Sequence, residues 1–294
     1  MTQKLYAPSA VAELGARYGI RAAKRLGQNF LADKNIVDRI IEGAGIGADD
    51  CVIEVGPGMG VLTAAAAEKA RCVVAVELDG RLMPLLAETL AGRDNVRLVH
   101  GDILKVDLRE LLRPEETDRS RIKILGNLPY YITSPVILRF LEEGPPAVSM
   151  TFMLQREVAE RIGARAGEKA YGALTVAVRY RCETQLVTHV SREVFIPKPQ
   201  VDSSVLRFDI RREKAAAPRS EALFFAVVRA GFGKRRKTLL NALTGLGGRG
   251  KEEIDRALAA AGVDGARRAE TLELREFAAV ADALCAPACA QTDA

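Results

Sequence analysis

The sequence predicts an α/β protein: a mostly parallel sheet of seven strands with helices on both faces, then a smaller all-α domain. Three observations predict it. Short runs rich in Val and Ile alternate with helix-period patterns through the first two-thirds of the 294 residues. A glycine-rich turn, Gly56-Pro57-Gly58-Met59-Gly60, follows the first of these runs and opens a helix pattern. Beyond residue 220, four helical patterns succeed one another without a strand between them.

The strand runs fall at 51–55, 72–77, 96–100, 122–126 and 148–154, bounded by Gly, Asp or Pro. Helix patterns occupy 35–44, 60–70, 81–90, 135–142 and 155–164. A helix between successive strands is the crossover that parallel pairing requires, and such sheets bind ligands at the carboxyl ends of their strands. After 171–181, runs at 183–190 and 205–210 flank the Pro-rich loop Phe195-Ile196-Pro197-Lys198-Pro199 and predict a hairpin closing the sheet edge. Residues 211–220, charged and rich in Ala and Pro, read as a linker. Helices are expected over 221–230, 236–243, 252–261 and 273–284, with a frayed tail at 286–294. The domains expected are thus 1–212 and 213–285.

Charge is uneven along the chain. Residues 211–294 hold 15 Lys and Arg against 11 Asp and Glu, while the rest holds 28 against 27. A basic second domain points to a polyanionic partner, or to a merely basic surface. Five cysteines (Cys51, Cys72, Cys182, Cys285, Cys289) form no CxxC pair and are expected as buried thiols in a reducing cytosol. No metal site is expected, since Cys285 and Cys289 have no His or second Cys pair to join them. Two histidines, His100 and His189, offer no proton relay for a Ser-His-Asp hydrolase or a dehydrogenase. No stretch reaches the ~18–20 apolar residues of a membrane helix, and the N-terminus lacks an export core. A cytoplasmic monomer is expected.

The glycine-rich turn offers a close backbone approach and a helix N-terminus to an anionic group. Glu77 ends the second strand run, where it can accept from ribose hydroxyls, and Gly101-Asp102 ends the third, where Asp102 can accept from an adenine amino group. These elements fit either a nicotinamide dinucleotide or S-adenosylmethionine. The fourth run leads into Asn127-Leu128-Pro129-Tyr130. Alone, that could be an ordinary strand-to-helix turn. It also suits methylation of a nucleobase amino group, whose lone pair is delocalised into the ring. The Asn127 side-chain carbonyl and a backbone carbonyl of the turn, that of Leu128, can accept its two N–H groups and aim the lone pair at a methyl donor. Tyr130 can stack on the base once it leaves its helix or loop. With this motif present, S-adenosylmethionine is the favoured cofactor. Lys234-Arg235-Arg236-Lys237, preceded by Arg229, reads as a phosphate-binding cluster or a solvated charged face at the start of a helix, and the opposing helix dipole favours the phosphate.

Further blocks extend the pattern: 24–31, 155–159, 171–174, 194–203, 235–239 and 267–272. With the turn and Asn127-Leu128-Pro129-Tyr130, the chain from about 24 to 277 resembles the small-subunit (16S) ribosomal-RNA adenine N6,N6-dimethyltransferases. The resemblance implies a Rossmann-like class I methyltransferase domain with an N-terminal lid over 1–33. It implies two methyl transfers from S-adenosylmethionine to N6 of each of two neighbouring adenosines near the rRNA 3′ end, within an immature 30S subunit. It places Asn29, Leu31, Gly56, Glu77, Asp102 and Asn127 around the cofactor, with Gln28 and Gly58 beside them, and puts Tyr130 and Phe195 on either side of the target adenine, plain core packing being the alternative for Phe195. Tyr131 is expected to pack. The macrolide-resistance methyltransferases of large-subunit rRNA are similar at the cofactor and Asn-Leu-Pro-Tyr positions, but the 194–203 loop and the second-domain blocks fit the small-subunit group better. A non-catalytic rRNA-binding assembly factor is the alternative from another class.

Overall fold

The computed structural model describes residues 6–20, 23, 26–113, 121–234 and 236–285. By backbone contacts the chain divides into two compact units. The first comprises residues 1–159 and 183–210, the second residues 160–182 and those from 211 onward. The segment 160–182, inside the span expected for the first domain, therefore packs within the helical unit.

The first unit is built on a seven-stranded sheet. Its strands are β2 (Cys51–Val55), β3 (Cys72–Glu77), β4 (Val96–His100), β5 (Ile122–Asn127), β6 (Ser149–Gln155), β7 (Cys182–Val190) and β9 (Ser203–Ile210), in the order β4-β3-β2-β5-β6-β9-β7. Pairing is parallel from β4 through β6 and antiparallel between β6 and β9. All five residues of β2 are buried and all but Glu54 are apolar, as suits a strand covered on both faces. The expected hairpin has its strands adjacent, with β9 inside and β7 at the edge. Its connection is more than a loop. Within it β8 (Phe195–Ile196) pairs antiparallel with β1 (Phe30–Leu31).

Helices α2 (Lys34–Ala44), α3 (Val61–Ala67), α4 (Met83–Thr89), α5 (Thr133–Glu143) and α6 (Arg156–Gly163) follow the expected order, after an N-terminal α1 (Pro8–Arg17). Helix α2 shows why its sequence folds this way. The Asp33 side chain caps it by accepting from Ile36 N at 3.0 Å, and Val37, Ile40, Ile41 and Ala44 form its buried face. Gly45 closes it in the left-handed region at φ 60°. The chain leaves β2 toward β3 and β4 on one side, then returns to β5 on the other. The carboxyl ends of β2 and β5 thus flank the switch point of the sheet.

The second unit holds α7 (Ala173–Arg181), α8 (Glu221–Gly233), α9 (Leu239–Leu243), α10 (Lys251–Ala260) and α11 (Leu274–Cys285). Tyr180 stacks on Phe224 with ring centroids 4.9 Å apart, and the Tyr171 hydroxyl donates to the Leu272 carbonyl at 3.0 Å. The expected linker is docked rather than free, since Arg211 N and Ala215 N donate to the Arg181 and Tyr180 carbonyls. Cys51 and Cys182 are buried as expected, but Cys72 is half-buried and Cys285 exposed. Cys289 and the 286–294 tail lie outside the described residues. No helix among the described residues is long and apolar enough to cross a membrane.

Candidate active site at the switch point

A cleft opens at the carboxyl ends of β2, β3 and β5, roofed by residues 26–31. Every residue expected around the cofactor or the target base borders it: Gln28, Asn29, Leu31, Gly56, Gly58, Glu77, Asp102, Asn127, Leu128, Pro129, Tyr130 and Phe195. Backbone shape explains the glycine turn. Gly56 sits at φ 67°, and a Cβ built there meets nothing within 4 Å, so the space beside it is available to a ligand. At Gly58 (φ 60°) a Cβ would press to 3.2 Å from the Phe30 ring. The Gly58 N–H donates to Glu77 Oε2 at 3.2 Å, so this glycine positions Glu77.

Glu77 is buried, and its Oε1 accepts from Asp79 N at 2.8 Å. Burial pushes its carboxyl up from the ordinary value, and the backbone donors of Asp79 and Gly58 oppose that shift. Each oxygen keeps a lone pair for a hydroxyl of a ribose. Asp102 is half-buried beyond β4, with Oδ1 accepting from Leu104 N at 3.0 Å and Oδ2 3.7 Å from Lys105 Nζ.

The β5 turn is arranged as the chemistry requires. Asn127 Nδ2 donates to the Asn29 carbonyl at 3.0 Å, which leaves the Asn127 side-chain carbonyl as the acceptor. Leu128 N donates to the Met153 carbonyl at 3.2 Å, fixing the turn to β6. The Pro129 carbonyl accepts from Ile132 N and from the Thr133 hydroxyl. Tyr130 is half-buried, and its hydroxyl shares a 3.1 Å hydrogen bond with Ser203 Oγ on β9.

One expectation changes, and two further side chains are more tightly held than their spacing shows. Phe195 is only 2% exposed and packs in the core with Leu31, Val190 and Val205, because β8 pairs with β1 and turns the ring inward. It forms a wall of the cleft. Tyr131, expected to pack, is 55% exposed at the rim. Gln28 has both ends of its amide engaged by protein, with Oε1 accepting from Ala23 N at 2.9 Å and Nε2 donating to Asp79 Oδ2 at 3.0 Å.

Two buried acidic residues escaped the sequence reading. Glu54, within the apolar β2, lines the cleft at 1% exposure, and its Oε2 has no hydrogen-bond partner. Burial pushes its carboxyl up to about 8, and the Glu77 carboxylate adds to the effect. An acidic residue inside an otherwise apolar strand was the available signal. Asp79 is buried two residues after Glu77, and Arg81 and Gln28 hold its carboxyl down at about 2. Among the described residues no group of three or more His, Cys, Asp or Glu could hold a metal ion.

In the second unit, Arg229, Lys234, Arg236 and Lys237 are all exposed, and none pairs with a carboxylate among the described residues. Arg235 lies outside the described residues. The cluster does not start a helix. It occupies the turn between α8 and α9, where Lys237 N donates to the Lys234 carbonyl at 2.8 Å. Cations just past the α8 C-terminus are favoured by its dipole, so dipole opposition gives no reason for a phosphate there.

The family model described as ribosomal RNA adenine dimethylase matches residues 19–284. This chain belongs to that family. It is 47% identical over 287 residues to the ribosomal RNA small subunit methyltransferase A of Geobacillus thermodenitrificans, covering 97% of this chain and 98% of that protein. Among solved structures, the 23S rRNA methyltransferase ErmE is 29% identical with a TM-score of 0.66, covering 88% of this chain and all of that one. A dimethyladenosine transferase from Plasmodium falciparum shares the fold with a TM-score of 0.72 at 24% identity, covering 85% of this chain and 95% of that one. The methyl donor of this family member is S-adenosylmethionine. The cleft fits it: open space at Gly56, the paired oxygens of Glu77 and the Asp102 carboxylate all border it.

Proposed function

We propose that this chain dimethylates N6 of two adjacent adenosines near the 3′ end of small-subunit (16S) rRNA. It does so as a monomer in the cytoplasm, on an immature 30S subunit, and thereby serves small-subunit biogenesis. The observation that carries the reading is the hydrogen bond from Asn127 Nδ2 to the Asn29 carbonyl. It fixes the amide so that Oδ1 is the acceptor, at the strand end where a target amine must sit.

When bound, S-adenosylmethionine supplies an electrophilic sulfonium methyl. The protein supplies position and exclusion of water. Asn127 Oδ1 and the Leu128 carbonyl accept the two N–H groups of a flipped-out adenine and turn its lone pair toward the methyl. Because the Pro129 carbonyl is used within the turn, Leu128 provides the second acceptor. Tyr130, tethered through Ser203, presents a ring to the base. Such alignment is worth up to about 7–11 kcal/mol of barrier. No general base is needed, since the methylated amine loses its proton to water. Leu31, Asn29, Gly56, Glu77 and Asp102 hold the donor. Residues 213–285 are the RNA-binding domain, with Arg229, Lys234, Arg235, Arg236 and Lys237 contacting phosphates.

Transfer of labelled methyl to immature small subunits, followed by nucleoside analysis, tests this. N6,N6-dimethyladenosine at adjacent positions near the 3′ end is expected, and Asn127→Ala should lower turnover by about 10²–10³. The match to ErmE keeps one second reading, large-subunit rRNA as substrate, which transfer to that RNA alone would establish. Retained binding with no transfer anywhere would instead indicate a non-catalytic assembly factor.

A further inference from the structure

The strap formed by residues 26–31 borders the cofactor cleft and is held on three sides. Toward β5 it is held by Asn127 Nδ2 on the Asn29 carbonyl, and toward β8 by the pairing of Phe30 with Ile196 and of Leu31 with Phe195. Toward β3 the holding group is Asp79. Its Oδ2 accepts from Gln28 Nε2 at 3.0 Å and from Arg81 Nη2 at 2.6 Å, and its Oδ1 accepts from Arg81 Nε at 2.9 Å and Arg81 N at 3.2 Å. The Asp79 backbone N–H meanwhile donates to Glu77 Oε1 at 2.8 Å. One buried residue therefore holds the strap with its side chain and Glu77 with its backbone. The other end of the Gln28 amide accepts from Ala23 N, so the chain entering the strap is fixed by the same side chain.

We propose that Asp79 and Gln28 are a positioning pair that latches the strap over bound S-adenosylmethionine, so that Gln28 governs cofactor affinity without touching the cofactor. This rests on the reading that Asn29, Leu31 and Glu77 line the cofactor site. A carboxylate is the right partner at position 79. It accepts from a guanidinium, a carboxamide and a backbone N–H together, and charge-assisted bonds of this kind are about twice as strong as neutral ones. Burial of Asp79 at 6% exposure shields the Gln28 bond from competing water. The latch also explains why a glutamine precedes Asn29: it must accept at one end and donate at the other.

The test uses the full chain. Binding of S-adenosylhomocysteine is measured by calorimetry, and methyl transfer is measured at varied S-adenosylmethionine. Gln28→Ala should raise Kd and the cofactor KM about tenfold, with turnover at saturating cofactor within about twofold of the unchanged protein. Gln28→Glu, which sets a carboxylate against Asp79, should be worse. Gln28→Glu combined with Asp79→Asn reverses donor and acceptor at that one bond, at the loss of the Arg81 Nη2 bond to Oδ2, and should bind at least about threefold more tightly than Gln28→Glu alone. A merely structural role would lower the thermal midpoint without this recovery. Unchanged affinity in Gln28→Ala, or an exchanged pair no better than Gln28→Glu alone, overturns the proposal. Glu77→Ala separates the two levels. If it loses affinity while Gln28→Ala does not, only the latch is wrong; if it too binds normally, the cofactor-site reading itself fails.

Discussion

Glu54 carries a pH dependence that can be isolated by one substitution. Its carboxyl is 1% exposed at the end of the central strand, with burial and the Glu77 carboxylate raising it from the ordinary 4.5 to about 8. The folded chain therefore keeps the proton at pH values where the unfolded chain has released it. Stability from this group is fully present below about 4.5 and is lost as the pH rises through about 8. That interval corresponds to roughly 5 kcal/mol at the full shift, an upper figure because a protein interior relaxes around a charge. Gln is neutral at every pH and nearly isosteric. Urea unfolding of the unchanged chain and of Glu54→Gln, at a series of pH values from 5 to 8, gives the difference in stability between them. The two should be alike near pH 5, and the variant should gain steadily, by several kcal/mol at most, toward pH 8. A difference that stays constant across that range would refute the assignment of a raised carboxyl to Glu54.

Gly56→Ala should cost only about 1–2 kcal/mol of folding for its left-handed backbone, but its methyl enters space that no protein atom uses. S-adenosylhomocysteine affinity should fall by more than tenfold while the urea midpoint moves little. Phe195→Ala should destabilise the chain by about 3–5 kcal/mol in urea unfolding, since the ring lies in the core. A loss of activity with no loss of stability would return Phe195 to the role of a free stacking face. Binding to small-subunit rRNA should weaken with salt. Replacing Lys234, Arg236 and Lys237 together by Ala should flatten the slope of log affinity on log salt by roughly 2–3. An unchanged slope would remove the cluster from the RNA interface.

The parallel strands were legible because a strand buried on both faces must read as a largely apolar run, and Cys51–Val55 and Cys72–Glu77 do so apart from Glu54 and the terminal Glu77. The turn from Gly56 to Gly60 and the Asn127-Leu128-Pro129-Tyr130 sequence were equally plain, since their chemistry is local. Other features depend on partners distant in sequence. The pairing of Phe30 and Leu31 with Phe195 and Ile196 involves two residues on each side, too few to carry a period, yet it decides that Phe195 is core. The stretch from Lys234 to Lys237 has good helix formers, but the chain turns there and α9 starts only at Leu239, where Leu239, Ala242 and Leu243 can be buried. Likewise α7 follows the first unit's helices in sequence but buries Val176 and Tyr180 against α8 and α11 of the second.

The sequence by itself therefore determined the order of strands and helices, the residues of the cleft floor and the kind of chemistry they serve. Each of these depends on burial pattern or on neighbours a few positions apart. Only the tertiary structure decided that Asp79 holds Gln28, that Asn127 Nδ2 meets the Asn29 carbonyl, that burial pushes the Glu54 carboxyl up and that Phe195 is buried. These depend on which groups meet across the sheet and on how much water is left beside them, and spacing along the chain encodes neither.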